Sequence, residues 1–200
     1  MKVLTANEKT IRIAAQTVKK GGVIVYPTDT VYGLGCDPFN REAVKRIFVI
    51  KGERTKPFPI LASSIKEVEK IAQVTEQAQK IAEKFWPGPL TMVLLKKPSL
   101  LDAVTCGLDS VGVRVPNHPV ALELIREAGG LLVGTSANKS GEKPPQTAAE
   151  AARQIGEVVD LILDGGFAPL GESSTIVDLV MGTPRILRHG PVKVDDVLEE

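Results

Sequence analysis

Four polar, glycine-bearing segments contain the side chains most suited to chemistry, and each lies next to the end of a predicted helix or strand. They are residues 26–35, 51–57, 134–141 and 173–175, with Arg188 further downstream. Together they combine lysine and arginine with small hydroxyl side chains and glycine backbone. Cations with hydroxyl and backbone donors are what a polyphosphate requires, and arginine adds bidentate geometry. The pattern therefore favours a phosphorylated ligand over acid–base or nucleophilic chemistry.

The common catalytic motifs are absent. The sequence contains no G-x-x-x-x-G-K-[ST], no H-E-x-x-H and no G-x-S-x-G, and it has only two histidines, His118 and His189. The string GLG at 33–35 lacks the third glycine of a dinucleotide fingerprint. These absences argue against a P-loop, a zinc protease and an α/β-hydrolase site.

The segment 26–35 (YPTDTVYGLG) follows an apolar run at 23–25 that predicts a buried strand. Open α/β sheets place ligands at such strand ends. Asp29 could orient a hydroxyl group or a metal-bound water. It could equally be the polar partner of a turn.

The predicted elements alternate between strands and helices. Strands are predicted at 22–27, 59–62, 91–95, 111–115, 131–133, 161–163, 175–179 and 185–187. Helices are predicted at 8–20, 40–50, 78–85 and 121–128. Two more helices are predicted to begin at the capping boxes 64–67 and 147–150, and a short one near Val194. This order predicts an α/β fold with a three-layer arrangement, in which a mixed sheet of about seven strands is flanked by helices. No linker is evident, so residues 1–200 are expected to form one domain.

The composition is that of an ordinary globular protein, with 43% hydrophobic and 24% charged residues and a net charge of +1. Two cysteines without CxxC spacing argue against a zinc or disulfide framework. The balanced charge argues weakly against a dedicated nucleic-acid binder. With no apolar leader and no long apolar run, the expected location is the cytoplasm, away from membranes.

Taken together, these segments resemble the YrdC-type threonylcarbamoyl-AMP synthases. The matching strings are YPTDTVYGLG (26–35), KG (51–52) with a following arginine, VRVPNHP (113–119), SAN (136–138) with SG (140–141), STIVD (174–178) and ILR (186–188). They occur in the family's order over about residues 8 to 190. The resemblance implies a twisted mixed sheet with a basic concave face, in the short, single-domain form. It also implies a nucleotidyltransferase that makes threonylcarbamoyl-AMP and pyrophosphate from L-threonine, bicarbonate or CO2, and ATP, for N6-threonylcarbamoyladenosine synthesis in tRNA.

The resemblance also implies roles for individual residues. L-Threonine contacts are expected at Thr30, His118, Ser136 and Ser174; ATP contacts are expected at Lys51, Arg54, Lys56, Arg114, Asn138 and Arg188, with Lys51 and Arg54 as the catalytic pair. Mg²⁺ is expected to arrive with ATP, without a metal site made by the protein.

Two positions depart from the family's pattern. Glu53 separates the lysine–glycine pair from Arg54, so it remains open which of Lys51, Arg54 and Lys56 fills each cationic role. Leu61 stands where some long members carry a histidine.

Two other functions remain possible from the sequence. One is a non-catalytic double-stranded RNA-binding module that uses the same basic face. The other is a carbamoyl-adenylate enzyme of hydrogenase maturation, against which the lack of attached zinc-finger or acylphosphatase-like segments argues. A downstream tRNA threonylcarbamoyl transferase complex is the expected partner of a synthase, and direct RNA contact remains open.

Overall fold

The computed structural model describes residues 2–52 and 56–193. Within these ranges the chain forms eleven strands, seven α-helices and a short 3₁₀ turn, Gly156–Val158. The helices are α1 (Glu8–Lys19), α2 (Arg41–Ile50), α3 (Ile65–Val68), α4 (Glu76–Phe85), α5 (Asp102–Thr105), α6 (Pro119–Ala128) and α7 (Ala148–Ile155). No helix in the described part of the chain is long and apolar enough to cross a membrane.

The strands form two sheets. They are β1 (Val3–Thr5), β2 (Ile24–Tyr26), β3 (Gly33–Gly35), β4 (Ile60–Ala62), β5 (Leu90–Leu95), β6 (Ser110–Arg114), β7 (Leu131–Val133), β8 (Thr135–Ser136), β9 (Leu161–Asp164), β10 (Thr175–Asp178) and β11 (Arg185–Arg188). The five-stranded sheet has the order β1-β9-β2-β3-β8, and the six-stranded sheet has the order β11-β10-β5-β6-β4-β7. Both mix parallel and antiparallel pairs.

Local signals explain where several helices begin. The Asn40 side chain accepts a hydrogen bond from the backbone N–H of Ala43 at 3.0 Å, and Thr147 does the same for Glu150 at 3.2 Å. Such caps satisfy backbone donors that have no partner inside the helix. The capping box predicted at Ser64 is wrong, because Ser64 makes no side-chain cap hydrogen bond and α3 has only four residues.

Two apolar clusters hold the layers together. In one, α1 packs against strands β2 and β9 of the five-stranded sheet, and α6 packs against α1 and against strands β4 and β7 of the six-stranded sheet. The other cluster takes buried side chains from both sheets and from α2, α4 and α7. Burial of these stripes is the main force that fixes the sheets relative to each other.

The predicted α/β class with mixed β-structure and flanking helices is confirmed, but the single sheet of about seven strands is wrong. Strands β1, β3 and β8 and helix α5 were not predicted. β3 contains two glycines and β8 only two residues, so neither resembles a typical strand. The helix predicted near Val194 lies outside the described residues.

The chain passes from one sheet to the other at Gly134, which separates β7 from β8. A Cβ atom at Gly134 would lie 2.4 Å from Cγ of Leu61, so only glycine fits this crossing. Close by, the Tyr26 hydroxyl donates to the Val133 carbonyl at 3.1 Å. The crossing places Ser136 next to the end of the six-stranded sheet.

Candidate small-molecule binding site

A cavity of about 530 Å³ lies where the two sheets meet. This volume is in the range of small-molecule sites. Its lining includes Thr28, Thr30 and Ser136 from the five-stranded side, and Leu61, Thr91, Val93, Ser110, Arg114, Ser174, Ile176, Asp178, Leu187 and Arg188 from the six-stranded side, with Lys56 and Pro57 beside them. The site therefore depends on both sheets.

The loop between β2 and β3 forms one wall through a buried network of hydroxyl groups. The Thr28 hydroxyl donates to the Val31 carbonyl at 2.6 Å and lies 2.9 Å from the Thr30 hydroxyl. Because a hydroxyl has one proton, Thr30 must be the donor in this second contact. Thr30 also accepts from Nη1 of Arg114 at 3.0 Å. Its remaining lone pair makes Thr30 an acceptor toward a ligand.

Arg114 holds this wall from the six-stranded sheet. Its side chain is 5% exposed and forms an ion pair with Oδ1 of Asp29, whose side chain is 7% exposed. Nε of Arg114 donates to the Gly88 carbonyl at 2.9 Å. Burial lowers the pKa of Arg114, while the charge of Asp29 raises it. The Asp29 side chain therefore forms a buried ion pair. The sequence had left two other roles open for it, orienting a hydroxyl group or a metal-bound water and serving as the polar partner of a turn.

Two buried polar atoms in the same region have no hydrogen-bond partner among the described residues, Oδ2 of Asp29 and Nδ1 of His118. Burial lowers the pKa of His118, and the nearby Asp29 charge acts in the opposite direction. His118 precedes α6 and does not line the cavity.

Ser174 is positioned by two neighbours on the opposite wall. Its hydroxyl lies 2.8 Å from the Thr91 hydroxyl and accepts from Nη2 of Arg188 at 3.1 Å. Nε of Arg188 also donates to the Ser174 carbonyl at 2.9 Å. Thr91 was not predicted as a site residue. The sequence did contain a signal for it. Neighbouring side chains of a strand point to opposite faces of the sheet, so Thr91 must lie on the face opposite to the buried Met92.

Lys51 lies at the end of α2 and is 2% exposed. Its ammonium group donates to the carbonyl oxygens of Ser136 at 2.8 Å and Asn138 at 2.6 Å, and to Oδ1 of Asn138 at 2.9 Å. It contacts the segment behind the cavity and does not line the cavity itself.

The structure thus brings together six of the residues predicted for ligand contacts. Thr30, Lys56, Arg114, Ser136, Ser174 and Arg188 line the cavity, whereas Lys51, His118 and Asn138 do not. Arg54 lies outside the described residues. The individual ligand contacts remain predictions.

Fold and site define an α/β protein in which two mixed sheets enclose a small-molecule cavity lined by hydroxyl and cationic side chains. The chain belongs to the Sua5/YciO/YrdC family, whose model, described as "Telomere recombination", matches residues 16–190. The resemblance noted in the sequence is confirmed.

Named relatives agree with this assignment. The chain is 39% identical over 189 residues to the threonylcarbamoyl-AMP synthase of Pyrococcus abyssi, covering 94% of this chain and 56% of that protein. It is 40% identical over 188 residues to a putative threonylcarbamoyl-AMP synthase of Mycobacterium tuberculosis, covering 93% of this chain and 86% of that protein. The chain thus spans little more than half of the archaeal relative.

Solved structures show the same fold. The P. abyssi Sua5 structure in complex with L-threonine matches with a TM-score of 0.94 and 37% identity, over 99% of this chain and 59% of that one. The structure of Escherichia coli YciO matches with a TM-score of 0.89 and 28% identity, over 98% of both chains.

Proposed function

We propose that this protein is an L-threonylcarbamoyladenylate synthase, a nucleotidyltransferase that joins L-threonine, bicarbonate or CO2, and ATP into threonylcarbamoyl-AMP and pyrophosphate. The observation that carries the proposal is the convergence of three small hydroxyl side chains and one arginine on a single cavity. These residues are Thr30, Ser136, Ser174 and Arg188. They come from distant parts of the chain, and the packing of the two sheets brings them together.

The hydroxyl groups suit a small polar amino acid. Thr30 offers a lone pair to a donor such as an ammonium or a substrate hydroxyl, because its own proton is used on Thr28. Ser174 lies on the opposite wall, held by Thr91 and Arg188. The related P. abyssi Sua5 has been solved in complex with L-threonine, which supports this amino acid as the substrate.

The rest of the cavity suits a nucleotide. Val93, Ile176 and Leu187 give an apolar floor on three neighbouring strands, on which a purine can lie flat. Lys56 and Arg188 provide positive charge at the cavity wall, where we place the phosphates. Arg54 remains a predicted phosphate contact.

The reaction needs little covalent chemistry from the protein. The amine nitrogen of threonine forms a bond to carbon of CO2 and loses a proton, which gives a carbamate. A carbamate oxygen then attacks the α-phosphorus of ATP, and the bond to the bridging oxygen breaks as pyrophosphate leaves. Positioning and charge stabilisation are sufficient for such a transfer. The buried hydroxyl groups of Thr28 and Thr30 limit the access of water along one wall of the cavity, which would help to preserve the unstable carbamate.

We propose that Mg²⁺ enters with ATP and is held mainly by its phosphates, whose developing charge it neutralises. Among the described residues, no group of three His, Cys, Asp or Glu side chains could hold a metal ion. Asp178 is a carboxylate in the cavity lining, and it already pairs with Arg185 at 3.1 Å. These side chains are compatible with a metal bound by substrate rather than by a protein cage.

The product is a mixed carbamic–phosphoric anhydride, so a transferase must consume it. We propose the tRNA threonylcarbamoyl transferase complex as that partner and the cytoplasm as the compartment. The RNA-binding alternative is not favoured, because the named relatives are threonylcarbamoyl-AMP synthases and because the polar network of Thr28, Asp29, Thr30 and Arg114 is buried rather than exposed to a duplex.

The test is incubation of the purified chain with ATP, Mg²⁺, bicarbonate and each of several amino acids. We expect threonylcarbamoyl-AMP by mass spectrometry and a matching release of pyrophosphate only with L-threonine. Serine and valine are informative comparisons, since each lacks one feature of the threonine side chain. Absence of ATP turnover with every amino acid, together with salt-dependent binding of duplex RNA, would overturn the proposal.

A further inference from the structure

We infer that Lys51 is a positioning residue for the amino-acid substrate and not a ligand of the ATP phosphates. The inference rests on the proposed function, since it concerns which substrate depends on Lys51. The resemblance to the family suggested a phosphate role for this lysine. The contacts of its ammonium group argue for a different one.

The ammonium group of Lys51 sits in a cage of three oxygen atoms. It is within 2.9 Å of each of the carbonyl oxygens of Ser136 and Asn138 and the side-chain oxygen of Asn138. These contacts with described residues hold the ammonium by charge-assisted hydrogen bonds. The residue is 2% exposed, and its backbone N–H is bonded to the Ile47 carbonyl at 2.9 Å, so the lysine is anchored to α2.

The cage fixes the segment that presents Ser136 to the cavity. The Ala137 backbone N–H donates to the Tyr32 carbonyl at 2.9 Å, and Nδ2 of Asn138 donates to the Glu142 carbonyl at 2.5 Å. Lys51 supplies the third fixed point, from the opposite side. Without it, the carbonyl oxygens of Ser136 and Asn138 and the side-chain oxygen of Asn138 lose a charged donor, and the segment that carries Ser136 keeps its contacts to Tyr32 and Glu142 and its pairing with β3.

Transfer of the ammonium to phosphate would require leaving that cage. The three oxygens would then be buried and unsatisfied, which is costly because little water reaches them. Lys51 is also absent from the cavity lining, whereas Lys56, five residues later in the chain, lines it and is exposed. Of these two lysines, Lys56 is therefore the one that can reach phosphate.

The experiment compares two lysine-to-methionine variants, Lys51→Met and Lys56→Met, which remove the charge and keep a similar chain length. L-Threonine binding is measured by calorimetry without nucleotide, and the KM for ATP is measured in the synthase assay. We expect Lys51→Met to weaken threonine binding about tenfold or more, and Lys56→Met to leave it within about twofold while the KM for ATP rises. Wild-type threonine affinity in Lys51→Met, with a raised KM for ATP, would overturn the inference.

A second measurement does not depend on the stability of Lys51→Met. Wild-type protein labelled with ¹⁵N in its lysine side chains is titrated with magnesium pyrophosphate. We expect the Lys56 ammonium resonance to shift much more than that of Lys51, which is assigned from its proximity to Asn138. A larger shift for the Lys51 resonance would overturn the inference but would leave the proposed function standing. Failure of the wild-type protein to bind L-threonine would instead overturn the proposed function and the inference with it.

Discussion

Replacement of Asp29 by alanine should destabilise the protein strongly. The substitution removes the partner of a buried guanidinium, and breaking a buried ion pair from one side costs about 3–5 kcal/mol. We expect the lower end, about 3 kcal/mol, for two reasons. Arg114 keeps its hydrogen bonds to Thr30 and to the Gly88 carbonyl, and the second oxygen of Asp29 has no partner to lose. For a chain of this size, that corresponds to a fall in Tm of roughly 6–12 °C.

The assay is thermal unfolding near neutral pH, with Glu123→Ala as the matched control. Glu123 also pairs with an arginine, Arg126, but the two side chains are 41% and 63% exposed. Exposed pairs contribute about 0–1 kcal/mol, so the control should lose little. A loss of less than about 2 °C in Asp29→Ala would refute the reasoning, because it would mean that the buried charge needs no compensation.

A double variant separates charge from packing. Asp29→Leu combined with Arg114→Met replaces both charges with apolar groups, and such replacements are often neutral or stabilising. We expect the double variant to recover most of the Tm that Asp29→Ala loses. It should not recover synthase activity, because Thr30 loses the donor that orients it.

Three further predictions concern other parts of the site. Because burial lowers the pKa of His118, the unfolded state binds more protons below about pH 6.5, so stability should fall as the pH decreases through that range. His118→Gln should reduce this fall in Tm between pH 8 and pH 5.5, with His189→Gln as the comparison, and an unchanged slope would contradict the assignment. Gly35→Ala should lower the free energy of unfolding in denaturant by about 1–3 kcal/mol, because the new Cβ would lie 2.3 Å from the Val133 carbonyl oxygen. A denaturation midpoint equal to that of the wild type would contradict this, since it would show that the strands can move apart to admit the methyl group. Arg188→Ala should reduce threonine-dependent pyrophosphate release by about 10²-fold or more, whereas Arg185→Ala on the same strand should keep a rate near that of the wild type. Equal rates for the two variants would show that Arg188 does not act in the site.

Local structure was largely predictable from the sequence, because its signals lie within a few residues. The caps at Asn40 and Thr147 and the buried stripe of α1 are examples. The division into two sheets was not predictable in this way, because it depends on which distant strands pair. Strand β3, with the sequence GLG, is recognisable only once Tyr26 is seen to pack over its glycines.

The candidate site shows the same limit. Six of the residues predicted from the sequence line the cavity, whereas Lys51, His118 and Asn138 do not, and the ligand contacts of all of them remain predictions. The hydrogen-bond partner of each lysine and arginine could not be predicted, because the sequence does not show which acceptors lie near the side chain in the folded protein. Arg114 is paired internally with Asp29, and Lys51 with the backbone at 136–138. Resemblance to a family identifies positions, whereas contacts must be taken from the structure.

The single-residue passage at Gly134 makes the two sheets act as one mechanical unit at the cavity. Its backbone N–H is bonded to the Pro59 carbonyl at 2.9 Å, and the preceding Val133 N–H is bonded to the Cys36 carbonyl at 2.9 Å. One sheet cannot turn against the other without twisting this joint and displacing Ser136. These backbone hydrogen bonds therefore act together with the apolar packing between the sheets to set the width of the gap. Selection by size at this site should resist substitution of individual wall residues, and occupancy at Ser136 should damp the relative motion of both sheets.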